Sequence, residues 1–390
     1  MKSISIELHK LLDKYSLFKA KEISGRYVKF SHIEPLLKEV EETHSVKQIG
    51  LSTNGIPIHT VTAGQGVLKV LAWSQMHGNE STTTKALFDV FKAMQLFSDE
   101  PVIKLINEKI TIKVIPMLNP DGALNYTREN ANQTDLNRDA LRLKEVESKI
   151  LRKTFMDFDP NFCLNLHDQR TIFSAGLNPV PATLSFLTPA MDEKRIIYPE
   201  RIISMKIIAA MAADLEILLP TQIGRYSDEF NPNCTGDTFQ SLGKPTILFE
   251  AGHSPGDYHR EKTRQYVAAA ILSSLVNIAT GNWKNYDLEN YLKIPENNKL
   301  FYDLILRNAV VNGEIQDVAI QYKEVLSNNE IEFQPLVEKV GASLPFFCHK
   351  EIDCENKLLT FIDGKQIPEN VIVNKLLLNN EVLAINYQNI

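Results

Sequence analysis

Four short apolar runs constrain this chain most, because each stops abruptly at polar or charged side chains. Residues 67–73 (Val-Leu-Lys-Val-Leu-Ala-Trp), 110–118 (Ile-Thr-Ile-Lys-Val-Ile-Pro-Met-Leu), 162–166 (Phe-Cys-Leu-Asn-Leu) and 245–249 (Pro-Thr-Ile-Leu-Phe) are near-continuous in apolar character and partly β-branched. That is the pattern of strands buried in a parallel sheet. Ser81-Thr82-Thr83-Thr84 followed by Lys85-Ala86-Leu87-Phe88 reads as a helix start, so the first run predicts a strand, a loop and a helix in succession. In open α/β sheets ligands bind outside the carboxyl ends of the strands. The residues just after each run are therefore the candidate site.

Those residues carry metal-binding chemistry. His77 and Glu80 fall on the loop after the first run, with Gly78 between them to allow a sharp turn. A histidine and a carboxylate make a catalytic zinc site only if a third protein ligand arrives and one position stays open for water. His167, directly after the third run, is placed to be that ligand, and Glu250 follows the fourth run at the same edge. The second run ends in Asn119-Pro120-Asp121-Gly122, a strong turn signal.

Taken in order, these elements resemble the zinc carboxypeptidase family, peptidase family M14, over roughly residues 25 to 280. His77-x-x-Glu80 and His167 resemble the family's three zinc ligands. The stretch from Asn119-Pro120-Asp121-Gly122 through Arg128 to Asp135-Leu136-Asn137-Arg138 resembles the part carrying its substrate-binding arginines and asparagine, and Phe249-Glu250 the strand end with its catalytic glutamate. Tyr226, in Gly224-Arg225-Tyr226-Ser227-Asp228, resembles a mobile tyrosine of the family, though a surface tyrosine beside a glycine is an equal reading. The 86 residues between Glu80 and His167 form a shorter span than in the family's digestive enzymes, which implies trimmed loops. The resemblance implies one Zn²⁺ per chain and a mixed, twisted α/β sheet flanked by helices.

Each residue type suits its implied task. Zinc polarises a carbonyl and acidifies its water. Glu250 would act as general base, with Asp168 and Asp237 the next candidates. Arg128 suits a developing oxyanion, and Asn137 with Arg138 suits a substrate carboxylate, which a guanidinium fork matches with parallel hydrogen bonds. Plainer roles compete: Arg138 could pair with Glu145 or Glu147 on a helix expected over 139–151, and His253 reads as a hydrogen-bonded loop histidine. Gly252-His253-Ser254-Pro255-Gly256 has the spacing of a serine-hydrolase elbow. Pro255, lacking the N–H that position contributes to an oxyanion hole, removes that reading. No nucleotide-binding glycine motif is present.

Composition narrows the function classes further. A formal net charge of -6 argues against nucleic acid as a partner. The longest apolar segments, 207–219 and 266–279, fall short of a membrane span and read as core helices. Residues 1–10 lack the apolar core of a secretory signal, so the expectation is a cytoplasmic protein with Cys163, Cys234, Cys348 and Cys354 as free thiols. Residues 1–283 read as the catalytic domain, with a helix over 261–280, and 294–390 as a small β-rich domain. The latter rests on short β-type runs at 304–311, 315–322, 358–362, 371–377 and 382–387 separated by Asn-Gly, Asn-Asn and Asp-Gly turns. The leading function is a carboxypeptidase acting on a peptide. The alternatives are an amidohydrolase or deacylase of the same fold acting on N-acyl amino acids or murein peptides, and an inactive binding module.

Overall fold

The computed structural model describes residues 2–389 apart from Gln366. Nine strands lie in the first 251 residues: β1 (Ser45–Leu51), β2 (Pro57–Ala63), β3 (Leu68–Ser74), β4 (Ile110–Ile115), β5 (Phe162–Asp168), β6 (Phe173–Ala175), β7 (Leu184–Leu187), β8 (Ile223–Arg225) and β9 (Thr246–Ala251). All but β6 form one sheet in the order β1-β2-β4-β3-β5-β9-β7-β8. Its centre, β4-β3-β5-β9, is parallel throughout and consists of the four apolar runs. β1, β2 and β4 pair antiparallel, as do β9 and β7, so the sheet is mixed as expected.

Both faces of this sheet are covered, which is why the central strands are apolar at successive positions rather than alternate ones. On one face Val70, Ala72, Leu164, Leu166, Ile247 and Phe249 join a large core with the helices Thr82–Leu96, Pro199–Leu215 and Glu261–Thr280. On the other, Leu71, Trp73 and Cys163 pack with Leu151 and Phe155 of Val146–Phe158 and Phe239 of Thr235–Ser241. The fully buried Arg264 pairs with Asp89 at 2.5 and 2.7 Å and donates to the carbonyls of Ala20 and Ile23, tying the N-terminal segment to two core helices.

The chain then returns to β6, outside the eight-stranded sheet, before entering a second set of strands. β10 (Asn297–Lys299) pairs antiparallel with β6. β11 (Phe301–Val311), β12 (Glu314–Ser327), β13 (Glu330–Gly341), β14 (Phe347–Asp353) and the short strand Val371–Ile372 form a five-stranded sheet. Leu359–Thr360, Lys375–Leu378 and Glu381–Ala384 form a three-stranded one. Leu304, Leu306, Val318, Ile320, Val337 and Leu376 build a separate core there. Asn312-Gly313 and Asn328-Asn329 hold positive φ at both positions, the backbone that two-residue hairpins require.

Two local readings change. Residues 139–145 form a loop, and the helix is Val146–Phe158 rather than 139–151, because the Asp139 carboxylate accepts from the Lys144 and Glu145 N–H groups. Neither ring nitrogen of His253 has a hydrogen-bond partner among the described residues, although its carbonyl accepts from the Thr183 hydroxyl; the buried ring packs between Tyr258 and His349 instead. All four cysteines are free. No helix among the described residues is long and apolar enough to cross a membrane.

Candidate active site and metal centre

Parallel pairing sets β5 and β9 so that His167 lies directly opposite Glu250. His77 and Glu80 reach the same edge on the loop after β3. That loop turns at Gln75, which holds φ 48°, whereas Gly78 serves a different end from the one expected: a Cβ there would overlap the backbone of Gly122 and Ala123. The Asn119 side chain braces the loop by donating to the Met76 carbonyl at 3.2 Å, and it caps the helix Pro120–Asn125 by accepting from the Gly122 N–H. Its other contact, to the Arg128 carbonyl at 3.5 Å, ties the same turn to Arg128.

The donor set fits a metal ion. Nδ1 of His77 and Nδ1 of His167 each lie 2.8 Å from a Glu80 carboxylate oxygen and 3.2 Å from each other. One ligand atom from each residue falls within 4.8 Å of the others. Two imidazole lone pairs and a carboxylate are the ligands zinc favours, with room for a fourth. On the outer side Nε2 of His77 meets Asp135 Oδ1 at 3.0 Å, the carboxylate contact that orients a ligating imidazole. Burial raises the Asp135 pKa, but the hydrogen bond from His77 and the charges of His77, Arg128 and Arg138 outweigh it and hold the group well below the usual carboxylate range.

The remaining expected residues surround this cluster. His77, Glu80, Arg128, Asn137, Arg138, His167, Tyr226 and Glu250 all line one cavity of about 470 Å³. Arg128 reaches Asp135 at 3.0 Å and Glu80 at 3.4 Å, so its guanidinium borders the candidate metal-binding cluster. Asn137 is fixed by its own N–H to Asp135 and by accepting from the Thr235 N–H at 3.0 Å. Arg138 is exposed, donates to the Asn137 carbonyl at 2.7 Å, and makes no ion pair among the described residues. The surface pairs with Glu145 or Glu147 do not form, since those acids bind Asn130, Asn132 and Thr53. Burial, then the charges of Glu80 and Asp168, push the Glu250 carboxyl well above its ordinary pKa. A cation at the cluster would act in the opposite sense.

Three further carboxylates bear on the site, of which Asp168 and Asp237 are the alternative general-base candidates. Asp135 stood in the quoted motif without a role. Asp168 is engaged by Arg26 at 2.9 Å and by the Thr82 hydroxyl at 2.6 Å, a junction of segments remote in sequence that only the fold brings together. Asp237 also lines the cavity, its carboxyl raised to about 6 by burial.

Comparison with known proteins gives a consistent picture. Residues 31–167 match the family model for zinc carboxypeptidase. The match contains His77, Glu80, Arg128, Asn137, Arg138 and His167, and ends before Tyr226 and Glu250. Over 110 residues the chain is 29% identical to Carboxypeptidase 2 of Trichophyton rubrum, covering 28% of this chain and 19% of that protein. Over 167 residues it is 25% identical to Carboxypeptidase SOL1 of Arabidopsis thaliana, covering 37% of this chain and 34% of the relative. The chain thus aligns with about a fifth to a third of these proteins' lengths. The fold is similar to that of a metallo-carboxypeptidase from Burkholderia cenocepacia, with a TM-score of 0.52 and 17% identity over 65% of this chain and 70% of that one.

Proposed function

We propose that this chain, whose residues 31–167 match the family model for zinc carboxypeptidase, is a zinc-dependent carboxypeptidase that hydrolyses the peptide bond next to a free terminal carboxylate. One observation carries the reading: the metal-ligand cluster, the Glu250 carboxyl and the unpaired Arg138 guanidinium line a single cavity. That shared lining supports reading them as a base, a charge stabiliser and a carboxylate receptor.

His77, Glu80 and His167 would hold one zinc ion, which when bound supplies Lewis-acid polarisation of the scissile carbonyl and acidifies water. Glu250 accepts the proton of the attacking water and returns it to the departing amine, as general base and then general acid. Arg128 donates to the carbonyl oxygen as negative charge builds on it, a role its position beside Glu80 supports. Arg138 and Asn137 receive the terminal carboxylate, and Tyr226 lines the same cavity. Asp135 keeps the His77 ring turned so that Nδ1 faces the cluster.

The test is release of the terminal amino acid from free-acid peptides and from the same peptides amidated, with and without chelator. Chelator-sensitive release from the free acids alone is expected. Equal cleavage of amidated and free-acid peptides would overturn terminal recognition, and activity confined to N-acyl amino acids would replace it with a deacylase.

A further inference from the structure

A second cavity, about 460 Å³, adjoins the first. Glu80, Arg128, Asp168, Gln169 and Arg170 line both, so the two spaces meet beside the metal ligands. Asn137, Arg138 and Tyr226 line only the first. A substrate whose carboxylate sits on Arg138 and whose scissile bond lies at the metal has its preceding residues directed away from that clamp. The second cavity is the space open to them.

Its far wall comes from the C-terminal sheet. Gln321, Tyr322, Lys323 and Glu324 of β12, with Leu336 and Glu338 of β13, face the catalytic sheet across it. Two atoms on this wall, Gln321 Oε1 and the Tyr322 hydroxyl, are buried without a partner among the described residues. Both residues are more than nine-tenths buried. A buried polar atom left unpaired is costly unless something else satisfies it.

The charges of this cavity do not balance. Each lining carboxylate is already engaged: Glu80 by His77 and His167, Asp168 and Glu324 by Arg26, and Glu338 by Arg170 at 3.7 Å. The cations are not all engaged in return. Arg260 is buried, its guanidinium donates to the carbonyls of Ala251, Gly252 and Gln169, and it makes no direct ion pair among the described residues, though its charge faces Asp168 and Glu324. Lys323 is exposed on the rim and forms no ion pair among the described residues, and Arg170 has only its long contact to Glu338. The cavity therefore presents surplus positive charge between low-dielectric walls, which concentrates its field.

We propose that the C-terminal sheet completes the substrate site, and that this second cavity takes an acidic side chain on the residue preceding the scissile bond, with Lys323 and Arg170 as its counter-charges. The proposal rests on the carboxypeptidase reading, and the test separates the two. Peptides sharing one C-terminal residue and carrying Glu, Gln or Lys before it are compared in cleavage by the full chain and in equilibrium binding to the Glu250→Gln protein. Both should rank Glu above Gln above Lys, with about a tenfold difference in kcat/KM and in Kd between Glu and Lys. Lys323→Glu combined with Arg170→Glu should reverse the order, and Lys323→Met should compress it. Both side chains are largely exposed, and zinc content with the thermal midpoint verifies that the variants fold. Equal binding of the three peptides, or an order unmoved by the charge reversals, overturns the subsite. Ranked binding without cleavage of any peptide leaves the acidic preference standing and overturns the carboxypeptidase reading instead.

Discussion

Asp135 shows how much of the site depends on single contacts, since its 3.0 Å bond to Nε2 of His77 decides which ring nitrogen faces the cluster. Asp135→Ala should weaken zinc binding by about 10- to 100-fold, read by competition with a chelator of known affinity. The ligand variants His77→Ala, Glu80→Ala and His167→Ala should each purify without zinc, because three protein ligands are the minimum for such a site. Glu250→Gln should separate metal from chemistry: metal analysis should find zinc at the level of the unmodified protein, while turnover falls by about 10² to 10⁴. Arg138→Ala should mainly raise KM, by about 1.5 to 3 kcal/mol for a charge-assisted contact, whereas Arg128→Ala should mainly lower kcat. If both variants shift the same parameter, their assignments to ground-state carboxylate and developing oxyanion are wrong. At this scale the sequence was legible wherever a polar residue directly followed an apolar run, as with His77, His167 and Glu250. It was silent where a contact joins distant segments, as with Arg26 and Asp168.

Among the elements, the loop between β3 and the helix Thr82–Leu96 matters most, because it carries two of the three proposed ligands and is wedged against the helix Pro120–Asn125. Gly78→Ala has no room for its methyl group against the Gly122–Ala123 backbone, so the loop must move. It should lose zinc affinity even though no ligand is altered, whereas Gly243→Ala, in open space but at φ 79°, should lose stability only and keep zinc. Equal zinc affinity in the Gly78 variant and the unmodified protein would show that the loop position is not set by this contact. The central strands could be read from sequence because burial on both faces leaves a continuous apolar run. β13 and the later part of β12 could not: Lys323, Glu324 and Glu338 interrupt their apolar pattern because they face the cavity rather than a core. The loop over 139–145 escaped for another reason, since Asp139 diverts backbone N–H groups that a helix would have used.

Across the whole molecule, the C-terminal sheet and the catalytic half share a packed aromatic and histidine contact in addition to the second cavity. His349 of β14 lies against His253 at 4.3 Å between ring centroids, and its Nε2 is 2.8 Å from the Thr171 carbonyl. Burial, with the nearby Arg260 charge, pushes the His349 pKa down from 6.5 to about 4. The folded protein thus binds fewer protons than the unfolded chain between these values, and stability should fall as pH drops through that window. Buried Asp303, raised from 3.8 to about 6, acts oppositely by favouring the folded state at the acid end. Thermal midpoints from pH 7 to 4 should therefore be compared between the unmodified protein and His349→Gln, in which Asp303 is unchanged. The variant's acid slope should be shallower, and coincident slopes would remove His349 as the cause. The same return of the chain that forms this contact also runs β10 alongside β6 and places Lys299 in the first cavity. Covalent continuity through residues 284–287 is then not what holds the two halves in place. A protease cut there should leave a nicked protein that migrates as two fragments under denaturing conditions yet elutes as one particle, whereas a chain ended by a stop codon at the same point would lack part of its own cavity wall.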